Sequence, residues 1–126
     1  MNNEKLSDLK RILKVDTNTK INNIFYADSI ADNRIAIWSN KKHILNIYFG
    51  ELEGKYNGEY LVFEFIRVSN RKNRVLRLYK YAANKYNLVS NIDFENKVDI
   101  VKEFIGTKEE VYLKSIEFLI NFQLES

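Results

Sequence analysis

Residues 59–82 read EYLVFEFIRVSNRKNRVLRLYKYA, with apolar and polar side chains alternating on both sides of a central SNRKN. This period of two is typical of β-strands with one buried face, and the short polar connection predicts an antiparallel hairpin. The apolar faces consist of Leu61, Phe63 and Phe65 in the first strand and Leu76 and Leu78 in the second. Because directly opposed residues share a face, burying both sets predicts that Phe65 pairs with Leu76 and Phe63 with Leu78.

The other face of this hairpin carries the residues that suggest a binding role. In the predicted register it presents Tyr60, Glu64, Arg77, Tyr79 and Tyr81, and the tip presents Arg71, Lys72 and Arg74. Residues 66–90 contain no acidic side chain. Three interpretations are open: the cations contact phosphates while tyrosines stack on bases, they contact an acidic protein surface, or they only protect the sheet edge.

The sequence from residue 22 to residue 82 predicts a β-meander of about five strands. Asp32-Asn33 is a two-residue turn signal, residues 39–42 predict a second turn, and residues 50–59 hold three of the four glycines in a loop. Since every connection is short, we expect each strand to pair with its sequence neighbours in antiparallel orientation.

A helix is predicted before the meander, over residues 4–14, with Asn3 as its N-cap. Its apolar face consists of Leu6, Leu9 and Leu13. The expected fold is therefore α+β: an antiparallel sheet with helices packed on one face, forming a single domain over residues 1–126.

Two further helices are predicted after the meander. The first begins at an Asp93 cap, ends at Gly106, and repeats apolar residues at helical spacing. Those residues are Phe94, Val98, Val101 and Ile105. The second begins with the sequence TKEE at 107–110, which matches a capping box.

The last helix has an apolar arc interrupted by a narrow polar stripe of Glu110, Lys114, Glu117 and Asn121. Such a helix lies between other elements or in an interface. We therefore expect Phe118, Leu119 and Phe122 to be buried, either in the core or in a homodimer. The acids in the stripe argue against a membrane-surface helix.

The composition excludes several kinds of catalytic site. The chain has no cysteine, which rules out thiolate nucleophiles and zinc–thiolate sites. Its one histidine, His43, follows two lysines at a predicted strand start, and no G-x-S-x-G motif supplies a nucleophile. Phosphate-binding glycine motifs are absent as well, so no nucleotide cofactor is expected.

The triplet Glu53-Gly54-Lys55 has the E-x-K spacing of a metal-dependent nuclease half-site, with Asp28 or Asp32 as a second carboxylate. It lies in the glycine-rich loop, where ligands would be poorly held. Chance triplets of this kind are common in a chain with 29% charged residues. We therefore expect no metal ion.

With no catalytic group assigned, the sequence favours a non-enzymatic protein that binds a macromolecule. Its 16 Asn, 14 Ile and 14 Lys without a proline are typical of AT-rich genomes, such as those of low-GC bacteria and their phages. The first residues lack the apolar core of a secretory signal, so we expect a cytoplasmic protein. We predict an inhibitor or immunity-type accessory protein of a phage or mobile element, acting as a monomer or as a homodimer through the C-terminal helix. The alternative is a nucleic-acid-binding accessory protein acting through the basic hairpin 67–80.

Overall fold

The computed structural model describes residues 2–52, 58–66, 75–93 and 97–122. Helix α1 (Asn2–Ile12) comes first in the chain and helix α2 (Lys108–Asn121) comes last. The strands between them are β1 (Tyr26–Ala31), β2 (Arg34–Ser39), β3 (Lys42–Leu52), β4 (Gly58–Phe65), β5 (Val75–Ala82), β6 (Lys85–Asp93) and β7 (Lys97–Ile105). They form one 7-stranded sheet in the order β1 to β7.

Each strand pairs with its sequence neighbours in antiparallel orientation, as the short connections predicted. The turn at Asp32-Asn33 is confirmed, because Ala31 and Arg34 are partners on either side of it. The β2–β3 turn places Asn40 and Lys41 at φ values of 53° and 64°. Positive φ at both central residues matches the twist of the strands they join.

The mixed α+β class is confirmed, and β1 to β5 are the five strands expected over residues 22–82, but the sheet has seven strands and the first of the two predicted C-terminal helices is wrong. Residues 85–93 form β6 and residues 97–105 form β7, and Asp93 ends a strand instead of capping a helix. Between β6 and β7, Leu88 pairs with Lys102 and the next residue, Val89, pairs with Ile100, so Val101 has no partner on β6. Val101 is the extra residue of a bulge that interrupts the period of two by which a strand is recognised, and Ile105 of the predicted helix face is 64% exposed.

The β4–β5 register also differs from the predicted one. Phe63 pairs with Leu76 and Leu61 with Leu78, two positions away from the expected pairs. A shift of two residues leaves every side chain on its predicted face, so burial of the apolar faces cannot distinguish the two registers. The SNRKN connection of the predicted hairpin, at 69–73, lies outside the described residues.

Both helices pack against the same face of the sheet, which we call the core face. Leu9 and Leu13, together with Val111 and Ile116 of α2, are fully buried against it. The strands contribute Ala27, Ile35, Ile37, Leu45, Ile47, Leu61, Phe63, Phe65, Leu76, Leu78, Tyr86, Leu88 and Phe104. Helix α1 begins at Asn2, so the predicted N-cap Asn3 lies inside the helix.

The predicted capping box of the last helix is confirmed. Thr107 is the N-cap, its side chain accepts from the backbone N–H of Glu110, and the Glu110 carboxylate accepts from the N–H of Thr107 at 3.0 Å. These hydrogen bonds lower the pKa of Glu110. Of the residues expected to be buried, Leu119 is fully buried, whereas Phe118 and Phe122 are half-buried against the core.

Charged side chains connect the two helices at the surface. Asp8 forms ion pairs with Lys108 of α2 and, at 2.6 Å, with Arg11 of its own helix. Arg11 reaches Glu109 at 3.1 Å. The hydrogen bond from Lys108 is the main reason why the pKa of Asp8 is lowered, and Arg11 adds to it. These contacts connect the second half of α1 to the first turn of α2.

Neighbouring residues of β7 give a direct test of the corrected fold. Phe104 is 6% exposed and contacts Phe118 edge-to-face, whereas Ile105 is 64% exposed. We expect Phe104→Ala to lower the free energy of unfolding by about 3–5 kcal/mol, and Ile105→Ala to change it by less than about 0.5 kcal/mol. Urea unfolding measures both. A helix over 93–105 would bury Ile105, so a larger loss from Ile105→Ala would contradict the strand.

Candidate functional site

The face of the sheet away from the helices, which we call the outer face, contains the candidate site. Residues on it alternate along the strands with the buried residues of the core face. Ala36, Val62 and Val89 are buried there, although they do not belong to the core cluster. Both described helices pack on the core face, so among the described residues it is side chains of the sheet that lie over this face.

On the outer face, a large side chain of β4 lies over a glycine of β3. The ring of Tyr60 covers Gly50, its partner on β3, so closely that a Cβ at Gly50 would lie 2.7 Å from the ring carbon Cε2. The guanidinium of Arg77 lies 5.5 Å from the centre of the same ring. A glycine in a strand interior often marks such a close approach.

Arg34 is the second arginine of this layer. Its guanidinium lies 4.1 Å from the centre of the Tyr48 ring and 3.7 Å from a carboxylate oxygen of Glu64. The cation therefore has an aromatic neighbour on β3 and an anionic neighbour on β4. Stacked, ion-paired arginines of this kind are held in one orientation more firmly than lysines.

Three aromatic rings stack across β1, β2 and the start of β3. Tyr26 and Trp38 are parallel within 6° at 6.1 Å, and His43 follows at 5.1 Å from Trp38. His43 Nε2 lies 2.7 Å from the side-chain oxygen of Asn46. His43 therefore begins a strand, as predicted, and its ring is part of the stack.

Three polar atoms on this face are buried without a hydrogen-bond partner among the described residues. They are Trp38 Nε1, Arg77 Nε and Asn87 Oδ1. Leaving a buried polar group unsatisfied costs about 1–3 kcal/mol. All three belong to residues of the outer face, and the core cluster contributes none of them.

The six residues predicted to bind a partner fall into two groups. Arg71, Lys72 and Arg74 lie outside the described residues. Arg77, Tyr79 and Tyr81 lie on β5, where Arg77 and Tyr79 are half-buried and Tyr81 is 43% exposed. The Tyr81 hydroxyl donates to the Glu103 carboxylate across β6, and this hydrogen bond raises the pKa of Tyr81.

The sequence did not single out Arg34, Tyr48 or Trp38 as site residues. The signal was present in the alternation, because Arg34 and Trp38 flank the buried Ile35 and Ile37, and Tyr48 follows Ile47. The alternation could not show which strands lie side by side or in which register. That register brings Arg34 next to Tyr48 and Glu64, and Trp38 next to Tyr26 and His43.

Other candidate chemistry gains no support from the geometry. In the part of the chain that the structure describes, no three His, Cys, Asp or Glu side chains lie close enough to hold a metal ion. The predicted E-x-K triplet at 53–55 lies outside that part. None of the described helices has the length and apolar character needed to cross a membrane.

We compared the chain with models of protein families, with curated protein sequences and with solved structures, and none of the three comparisons gave a match.

The contact between Tyr60 and Gly50 predicts that the effect of Gly50→Ala on stability changes sign when the Tyr60 ring is removed. Gly50→Ala should destabilise the protein when Tyr60 is present, because the added methyl displaces the ring. In a Tyr60→Ala background the same change should stabilise it by about 0.5–1 kcal/mol, since alanine is favoured over glycine within a strand. Urea unfolding of the four proteins tests this. The same sign in both backgrounds would contradict the close approach.

Proposed function

We propose that this chain is a non-enzymatic, macromolecule-binding protein of the inhibitor or immunity type, and that the outer face of its sheet is the contact surface. The observation that carries the proposal is the set of unsatisfied polar atoms of Trp38, Arg77 and Asn87 within a layer of aromatic and arginine side chains. Trp, Tyr and Arg are the residues that dominate the binding energy of protein interfaces.

The unsatisfied atoms indicate what the partner supplies. Trp38 Nε1 and Arg77 Nε are donors, and Asn87 Oδ1 is an acceptor. Side-chain rotation at an interface, which is common on binding, would bring such atoms to partner groups. Each bond formed would recover part of the roughly 1–3 kcal/mol that an unsatisfied polar group costs.

The charges on the outer face favour an acidic partner. Arg34 is already paired with Glu64, whereas Arg77 has no carboxylate neighbour among the described residues. The sequence of residues 66–90, which includes Arg77, contains no acidic side chain. An acidic protein surface fits this pattern, and electrostatic attraction would speed its association.

Nucleic acid is the alternative partner, through the basic hairpin 67–80. The observation that favours it is the position of Tyr79 beside Arg77 on the same strand. Tyrosines on a basic sheet face are typical stacking platforms for single-stranded bases.

Three further parts of the proposal concern the origin, the location and the oligomeric state of the protein. An origin in a phage or mobile element and a cytoplasmic location remain parts of this proposal. A homodimer through α2 is less favoured than a monomer, because Val111, Ile116 and Leu119 are buried within the chain.

Paired variants test the contact surface. Arg77→Ala and Tyr79→Ala should each weaken binding to the native partner by about 30-fold or more, as expected of interface hot spots. Arg11→Ala is the control, since it makes the same change on the helical side of the molecule. Circular dichroism checks that each variant is folded. The proposal is wrong if both outer-face variants bind the partner as tightly as the parent does.

A salt titration with duplex and single-stranded DNA separates the two kinds of partner. If nucleic acid is the partner, affinity should fall with a log–log slope of about −0.9 per phosphate neutralised on duplex DNA. Replacing Arg71, Lys72 and Arg74 by Ala should then make the slope shallower by up to about three units. For an acidic protein partner, DNA should bind weakly and without dependence on Tyr79.

A further inference from the structure

A cavity of about 520 Å³ lies on the core face, between the first halves of α1 and α2 and strands β3 to β6. Phe49, Leu61 and Leu78 line it. Leu61 and Leu78 are each only 2% exposed, so the cavity has an apolar floor continuous with the core. Its volume lies within the range of small-molecule sites, about 300–1,000 Å³.

Two tyrosines give this cavity polar groups. Tyr86 of β6 and Tyr112 of α2 both line it and contact each other edge-to-face at 6.4 Å. Neither hydroxyl makes a hydrogen bond to any residue that the structure describes. Burial raises the pKa of Tyr112, and to a smaller extent that of Tyr86, so both hydroxyls stay protonated at neutral pH. Each one is therefore a hydrogen-bond donor with unused capacity.

Among the charged residues that line the cavity, one lysine has no ion pair with a described residue. Lys5 is paired with Glu59 at 3.2 Å, and Lys108 is paired with Asp8. Lys80, which lies opposite Tyr86 on β5 and also lines the cavity, has no ion pair among the described residues. The described lining thus combines an apolar floor, two hydroxyl donors and an excess positive charge.

We propose that this cavity binds a small organic anion with a flat apolar body, whose carboxylate or phosphate group lies beside Lys80 and accepts hydrogen bonds from Tyr86 and Tyr112. The body of the ligand would rest on Leu61 and Leu78. An anion satisfies the lysine and both hydroxyls at once, because its oxygens accept several hydrogen bonds and charge-assisted bonds are the strongest of them.

This site is separate from the outer face. The cavity lies on the helical side of the sheet, and the two surfaces share no group on which either proposal depends. The two proposals can therefore be tested independently. The protein could bind the macromolecular partner but no small anion, or a small anion but no macromolecular partner.

Matched probes test the site on the full chain. 2-Naphthoate is a flat apolar anion, and 2-naphthamide is its neutral counterpart; inorganic phosphate is an anion with no apolar body. We expect saturable binding of 2-naphthoate, with NMR shifts at the Leu61 and Leu78 methyl groups. The amide should bind about tenfold more weakly, and phosphate more weakly still, as expected when a charge-assisted bond or the apolar contact is lost.

Variants assign the polar contacts. Lys80→Met keeps the aliphatic side chain, removes the charge, and should weaken 2-naphthoate binding by about tenfold while leaving the amide unaffected. Tyr112→Phe should weaken binding of both probes. Lys114 is an exposed lysine on α2 that does not line the cavity, so Lys114→Met is the control. The proposal is overturned if 2-naphthoate does not saturate, if it binds no better than the amide, or if Lys80→Met has no effect.

Discussion

The structure depends on one constraint: its sheet has seven strands, and both described helices pack on the same side of it. Among the described residues, the opposite side is therefore covered by side chains of the sheet itself. There the Tyr60 ring lies over Gly50. Arginines complete the layer because their planar guanidinium groups stack on aromatic rings and form ion pairs with carboxylates. The result is a surface that is packed and polar at the same time.

That arrangement separates two kinds of recognition. On the outer face, buried polar atoms of Trp38, Arg77 and Asn87 lack partners, which suits a broad contact with another macromolecule. On the core face, the cavity between the helices contains two tyrosine hydroxyls beside Lys80, which suits a small anion. The sheet lies between the two surfaces, so a small ligand bound to the helical side would leave the outer face accessible. Asp8 of α1 and Lys108 of α2, which form an ion pair, both line the cavity.

Much of the fold could be predicted because it follows from local patterns. Period-two alternation identified the strands up to residue 82, and the Thr107 capping box fixed the start of the last helix. Bulges defeated the prediction after that point, since one extra residue in β7 interrupts the period of two by which a strand is recognised. The β4–β5 register was missed by two residues because both registers bury the same faces. For the same reason, only part of the site could be predicted. The alternation places Arg77 on the outer face, but its contact with Tyr60 depends on the observed β4–β5 register.

Trp38 provides the most direct test of the central claim, because it is the chain's one tryptophan and lies within the outer-face stack. The measurement is iodide quenching of its fluorescence in the isolated protein and in a complex with the native partner, with complex formation verified by sedimentation. If the partner covers the outer face, quenching should decrease on binding, and the Arg77→Ala variant, which binds poorly, should keep the quenching of the isolated protein. Unchanged quenching in a verified complex would contradict the account, since the partner would then bind elsewhere.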